Sequence, residues 1–193
     1  WKLCKAYFVL IDSSLKYEVT FDELIAVSKV LPEDAKKIIS KNNKDYNFFF
    51  LKILLSKLDE QTLSQFKIDI AEDTISNTYE KILEGLTLRL ESFLPYRESF
   101  KILSQNSNFK VFNFLKLFES NCSFMFHLLD IVEGSQNQSI KTLKSFALNI
   151  AFVRSINIFL AENDHNLDST VRNLDKYLRD FEDIGHFLGI IKN

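Results

Sequence analysis

Val19-Thr20-Phe21-Asp22-Glu23-Leu24 holds every part of a helix start in one short run. Thr20 can cap the first free backbone N–H groups, and Glu23 can reach back to the N–H of Thr20. Val19 and Leu24 can then close over the turn as a hydrophobic staple. Downstream, Phe21, Leu24 and Ile25 face inward on a helix that runs to about Ser28. Upstream, Leu3, Tyr7, Leu10 and Ile11 share one face of a helix over about Lys2 to Ser13. After the turn Lys29-Val30-Leu31, Pro32 suits a first helical turn, where its missing N–H costs nothing. A third short helix follows over about Glu33 to Ile39, with Ala35, Ile38 and Ile39 apolar, and Ser40-Lys41-Asn42-Asn43-Lys44 is a polar loop.

Beyond that loop the helices lengthen. Asp45 is a good N-cap for an apolar helix through Phe48-Phe49-Phe50-Leu51 to Leu58 or beyond. Ile75, Tyr79, Ile82, Leu83, Leu86, Leu90 and Phe93 recur at helical spacing over about Asp73 to Leu94, and Pro95 ends the run. A short helix covers about Tyr96 to Leu103. Longer ones follow over about Asn108 to Val132, Ser139 to Ala161 and Asp168 to Ile190. The prediction is an all-α fold of about nine helices. It has an N-terminal three-helix helix-turn-helix head over residues 1–45 and a long-helix body over residues 46–193 for ligand binding and dimerisation.

Composition agrees with that class. The 193 residues are 46% hydrophobic and 26% charged, as in a globular chain, and only 4 Gly and 2 Pro punctuate them. The 19 Phe supply much of the interior. A net charge of −2 gives no global basic field, so any nucleic-acid contact must come from a local patch. Cys4 and Cys122 form no CxxC motif and fit a reducing compartment. No uninterrupted apolar run reaches the roughly 18 residues of a bilayer span. The chain opens at Trp1 without Met, which leaves room for a targeting segment upstream.

Catalytic chemistry has little support. His127, His165 and His186 are scattered, and none has a metal-ligand spacing to a carboxylate or thiol. There is no GxSxG, P-loop, HExxH or dinucleotide fingerprint. The expectation is a non-enzyme with no cofactor and no metal.

Two further features point to partners. Leu167, Val171, Leu174, Leu178, Phe181, Gly185 and Leu188 alternate steps of four and three on the last helix, the seam of a packed helix pair. The helix before it is apolar around most of its circumference. One face can meet the core, and a twofold-related copy would cover the other. Ile150, Val153, Leu174, Leu178, Phe181, Gly185 and Leu188 are therefore the candidate homodimer interface. Phe93, Phe112, Leu115, Met125, Phe126, Leu129 and Phe146 are candidates to line an apolar cavity for a small ligand, with ordinary core packing as the competing role. Arg89, Arg97 and Arg154 are polar candidates beside that surface, either for an anionic head group or for pairing with acids.

The order of helices, with Ala6-Tyr7-Phe8, Thr20-Phe21-Asp22-Glu23-Leu24-Ile25 and Lys29-Val30-Leu31-Pro32 in the head, resembles the TetR family of transcriptional regulators. Leu94-Pro95-Tyr96-Arg97, Phe159-Leu160-Ala161-Glu162-Asn163-Asp164 and Leu174-Asp175-Lys176-Tyr177-Leu178 look like a proteobacterial branch of it. The resemblance implies a cytoplasmic bacterial dimer whose DNA binding responds to a small apolar ligand in the body. DNA contacts would come from Thr20, Lys36, Lys37, Lys41, Lys44 and Tyr46. The chain departs from the pattern where Glu33-Asp34 puts two acids at the start of the third helix. Acids there satisfy the helix dipole but face phosphates badly. Over Trp1 to Asp45, eight Lys stand against seven Asp or Glu. The Leu-Pro-Tyr stretch also resembles the TetR-fold lipid-binding proteins of ubiquinone biosynthesis. That likeness implies an isoprenoid or lipid carrier without DNA binding, housed in an organellar matrix. Val132 to Lys144 lacks the Gly-Asp and Trp-Tyr signature of that group.

Overall fold

A computed structural model describes residues 1–15, 19–40, 46–105, 112–134, 137–162 and 166–187. The structure is all-α: α1 (Lys2–Ser14), α2 (Phe21–Ser28), α3 (Pro32–Ser40), α4 (Tyr46–Glu72), α5 (Thr78–Phe93), α6 (Arg97–Gln105), α7 (Phe112–Glu133), α8 (Gln138–Ala161) and α9 (Asp168–Phe187), with a 3-10 turn at Leu94–Tyr96. The chain divides into a front unit, Trp1–Lys57 with Pro95–Leu117, and a body unit, Leu58–Leu94 with Phe118–Asn193. The front unit thus takes in the first half of α4 and all of α6, which a boundary at residue 45 assigns to the body.

In the front unit α1 packs against α2 and α6. Tyr7, Phe8 and Ile11 are fully buried on α1, and Leu24, Ala35, Ile39 and Phe50 join them. Tyr7 stacks on Phe50 at 4.9 Å, and Phe8 meets Tyr96 edge-on at 5.6 Å. Polar groups inside this core have partners within the unit. Cys4 Sγ donates to the Phe50 carbonyl at 3.4 Å, and Ser99 Oγ donates to the Asp12 carboxylate. Burial pushes the Cys4 thiol up to about 12, so it acts as a small apolar filler rather than a nucleophile.

The start of α2 has the geometry its sequence predicts. Thr20 N–H donates to Glu23 Oε2 at 2.8 Å, and Glu23 N–H donates to Thr20 Oγ1 at 3.3 Å. Lys29 ends α2 in the left-handed region at φ 53, with its N–H on the Ile25 carbonyl. Glycine is the usual residue for that conformation. The turn then hands over to Pro32, the first residue of α3.

In the body unit α9 lies against α8 and α5. Tyr79 of α5 donates its hydroxyl to Asp175 of α9 at 2.7 Å, and Arg179 pairs with the same carboxylate at 3.1 Å while lying over the Tyr79 ring. Between α7 and α8, Lys141 pairs with Asp130, and Lys144 pairs with Glu133 at 2.7 Å. Gly134 takes φ 68 to close α7, so the two helices turn back within a few residues. Close packing sets the identity of Gly85. A Cβ there would lie 2.4 Å from Leu128 Cδ1 and 3.3 Å from Phe66.

One boundary differs from the sequence expectation for a local reason. Apolar periodicity extends α5 back to Asp73, but the helix begins at Thr78. The Asp73 carboxylate accepts from the N–H groups of Ile75 and Ser76 at 2.9 and 3.0 Å, which holds a turn. Asn77 and Glu80 then form a second capping box. Ile75, expected on the inner face, is 93% exposed.

Candidate functional site

The head presents α3 to solvent. Glu33, Asp34, Lys36, Lys37 and Ile38 are exposed along it, while Ala35 and Ile39 hold its other side in the core. The turn before it leaves Leu31 70% exposed. Lys36 Nζ lies 5.9 Å from the centre of the Phe21 ring, and Lys37 sits 3.8 Å from Asp34 at high exposure. An exposed pair of that length adds little stability. Thr20 is exposed, but its hydroxyl is engaged by Glu23 at 2.7 Å, so its first duty is the cap. Lys41 and Lys44 lie outside the described residues, as does the side chain of Tyr46. A crevice lined by Tyr7, Val19, Thr20, Phe21, Leu24, Ile39 and Phe50 has a volume of about 10 Å3, room for one water at most.

The charges of the two units differ sharply. The front unit carries 14 Lys and Arg against 8 Asp and Glu, a net of +6. The body unit carries 10 against 18, a net of −8. The chain's −2 is the residue of two opposed fields. The near-neutral count over residues 1–45 omits Lys52, Lys57, Arg97, Lys101, Lys110 and Lys116, which belong to the same compact unit.

The interior of the body holds a buried cation. Arg89 of α5 is wholly inaccessible. Its Nε donates to Asp59 Oδ1 at 2.7 Å, and its Nη2 donates to Asp59 Oδ2 and Asn121 Oδ1, both at 2.9 Å. The guanidinium carbon lies 4.1, 4.8 and 5.4 Å from the ring centres of Phe124, Phe152 and Phe93. Nη1 is buried and has no hydrogen-bond partner. The ring faces offset part of the charge, about 2 kcal/mol each for a desolvated cation. An unmade hydrogen bond on a buried donor costs roughly 1–3 kcal/mol, and more on a charged group. Burial raises the Asp59 carboxyl, and the Arg89 charge pulls it back down.

Of the expected cavity residues, Phe93, Met125 and Leu129 are fully buried core, and Phe126 is half-buried under the Lys141 ammonium, 4.1 Å from its ring centre. Phe146 is 48% exposed, which corrects its assignment to an interior cavity. The side chains of Phe112 and Leu115 lie outside the described residues. Arg154 lies 5.6 Å from the Tyr177 ring centre, where it joins α8 to α9.

The expected dimer residues divide as well. Leu174 and Leu178 are buried inside the single chain, where α9 lies against α8 and α5. This corrects their assignment to a subunit interface, because no surface remains on them for a second copy to cover. Ile150, Val153 and Phe181 are half-buried. Gly185 and Leu188 fall where side chains are not described.

What the sequence does not disclose is that α8 buries polar residues beside its apolar ones. Its buried stripe includes Lys141, Ser145, Asn149 and Ser155 beside Leu148, Phe152 and Phe159. Ser145 and Ser155 hydrogen-bond to backbone carbonyls, and Asn149 donates to Cys122 Sγ at 3.0 Å. Across the helix run Leu143, Phe146, Ile150, Val153 and Leu160 in steps of three, four, three and seven, with Asn157 midway along the last. Leu143 is 49% exposed. By length and composition α8 could cross a membrane. Its buried polar stripe, where Ser145, Asn149 and Ser155 each donate to groups of the same chain, is instead the chemistry of a packed helix. Among the described residues no group of three or more His, Cys, Asp or Glu stands close enough to hold a metal.

No family model matches the chain, and neither does any curated protein or solved structure.

Proposed function

We propose that this chain is a TetR-like transcriptional regulator that works as a homodimer and contacts DNA through α3 and its flanks. One observation carries the reading: three short helices, the second capped by Thr20 and Glu23, lie in a unit of net +6 with α3 exposed, while the rest of the chain is net −8. Nucleic-acid affinity comes largely from local positive charge meeting phosphates. A charge split this way favours the front unit for the duplex and disfavours the body unit. Lys36 and Lys37 are the described phosphate contacts, and Lys41, Lys44 and Tyr46 extend the set. Glu33 and Asp34 narrow which sequences are accepted, because carboxylates suit the cytosine amino group and reject bare acceptor edges. The second copy covers the outer face of α8. A helix that keeps polar residues inside, with Leu143 and Phe146 exposed and Ile150 and Val153 half-buried across it, is suited to apolar cover on that side. A small apolar ligand held in the body modulates DNA binding.

A gel shift tests the reading, with the full chain and the duplex upstream of its own gene at about 50 mM salt, a condition at which phosphate contacts are strong. A saturable shift that weakens steeply as salt rises supports it. No shift with any duplex at low salt overturns it. Native mass spectrometry that finds a lipid held by a chain that shifts no duplex moves the assignment to the lipid-carrier reading.

A further inference from the structure

We propose that α3 recognises a pyrimidine tract on one strand of the duplex: Leu31 and Ile38 each cover a thymine methyl group, and Asp34, between them, accepts from a cytosine amino group. The proposal deepens the regulator reading and rests on it. Its basis is the pattern of exposure along α3. Leu31 is 70% exposed and Ile38 is 43% exposed, while Ala35 and Ile39 are buried. The Ala35 N–H donates to the Leu31 carbonyl at 3.0 Å, which fixes Leu31 at the start of the first turn. Positions 31, 34 and 38, spaced by three and four, fall on one face. The Asp34 side chain keeps 57% exposure, so an acid stands between two aliphatic side chains on the open side of the helix. Single exposed apolar residues are ordinary on a surface. Two of them flanking a carboxylate, in a unit of net +6, form a patterned surface that a polyanion can reach.

The chemistry of the groove selects the bases. In the major groove thymine shows a C5-methyl group and cytosine shows an amino donor, while both purines show the N7 acceptor. An ionised carboxylate only accepts, so it meets N7 badly and suits the cytosine amino group. Leu and Ile can bury a methyl group and can answer no hydrogen-bonding edge. Two-point contacts to purines come from Arg, Lys, Asn and Gln. Of these, Pro32–Ser40 contains only Lys36 and Lys37, which the regulator reading places on phosphates. Glu33 and Lys37 stand on the adjacent exposed face. The three side chains therefore call for methyl, amino and methyl in that order. Seven residues of helix rise about 10 Å, or about three base-pair steps. A tract of about four base pairs takes all three contacts, and they come from the N-terminal part of the helix, the part that reaches base edges in helix-turn-helix docking.

The test selects binders of the full chain from duplexes with a randomised centre, then measures affinity on the recovered duplex. The recovered site should carry, on one strand, a cytosine with a thymine on either side within about four base pairs. Deoxyuridine in place of either thymine removes the methyl group alone. Each replacement should weaken binding about fourfold, the value of one buried methyl-sized group. Leu31→Ala should erase the response to one replacement and Ile38→Ala the response to the other. Both side chains are exposed, so neither variant should disturb folding. Asp34→Asn should move the preference at the middle position from cytosine to adenine, the base that Asn pairs with. A recovered duplex that accepts deoxyuridine at every thymine without loss overturns the proposal, and that outcome needs no variant to fold. An unchanged response in both alanine variants also overturns it. Saturable binding with no sequence enriched overturns it and leaves the regulator reading standing, whereas no shift with any duplex at low salt removes both.

Discussion

At the scale of single residues, the largest energetic stake in the described core is the Arg89–Asp59 pair. Removing one partner of a buried, hydrogen-bonded ion pair strands the other charge and costs about 3–5 kcal/mol. Arg89→Met and Asp59→Leu should each lower stability by that amount in chemical denaturation. The double variant should recover most of the loss, because two apolar side chains of similar volume avoid desolvating either charge. A double variant no better than the sum of the singles would show that the pair is not a unit. Lys29 carries a smaller and opposite stake. Its φ of 53 is strained for any residue with a Cβ. Lys29→Gly should therefore stabilise the head by up to about 1 kcal/mol, read as a higher denaturation midpoint with an unchanged slope. The two sites also differ in how legible they are. The turn at Lys29 is local and was readable from Val19 to Pro32. Arg89 shows in the sequence only as a charge in an apolar helix, because its partners stand thirty and thirty-two positions away. Nothing in a periodic pattern says which carboxylate will meet it.

At the scale of helices, local chemistry was readable and long-range cover was not. The α2 box could be read because each of its bonds spans three residues. The same motif at Asn77 and Glu80 stood equally plain, and the apolar rhythm through Ile75 masked it. On α9 the alternation of threes and fours rightly marks a packed seam. Periodicity says that a face is apolar and never says who covers it, and here α5 and α8 of the same chain cover Leu174 and Leu178. The α5–α9 contact carries a pH dependence. Hydrogen bonds from Arg179 and Tyr79 hold the Asp175 carboxyl below its ordinary value, and bonds to Ser76 and Ile75 lower Asp73 to about 2. A depressed folded value means stability that is present above the unfolded value near 4 and lost as pH falls through the folded one. Asp59 and Asp12 are raised by burial, so their ionisation costs stability as pH rises through their folded values, and that opposes the acid trend. The α5 start and the α9 pin should therefore weaken between about pH 4 and 2. Asp175→Asn should flatten that part of the curve in a urea series at stepped pH; an unchanged slope would separate Asp175 from acid unfolding. The outer face of α8 gives a prediction of another kind. Phe146→Glu puts a charge on a side chain that is 48% exposed in the single chain, so folding should be little affected while a dimer interface would not tolerate it. Sedimentation should show the parent as a dimer and Phe146→Glu as a folded monomer. A monomeric parent would remove the second copy from the reading.

At the scale of the whole molecule, the opposed charges of the two units decide what a salt titration should show. Counted along the chain, charge nearly cancels. It separates only when Pro95–Leu117 is grouped with the head and Leu58–Leu94 with the body, a grouping made by the fold and not by sequence order. That is why composition alone gave no basic field. If α3 meets a duplex, each lysine on a phosphate releases condensed counterion, and the logarithm of affinity falls against the logarithm of salt by about 0.9 per contact. Lys36→Ala with Lys37→Ala should therefore make that slope shallower by about 1.8, with similar losses for any duplex sequence, because phosphate contacts position rather than specify. Lys176, exposed on α9 in the acidic unit, is the control: Lys176→Ala should leave the slope alone. A slope that responds equally to Lys176 and to the α3 lysines would mean that the duplex is held by diffuse charge, and α3 would lose its place as the contacting helix.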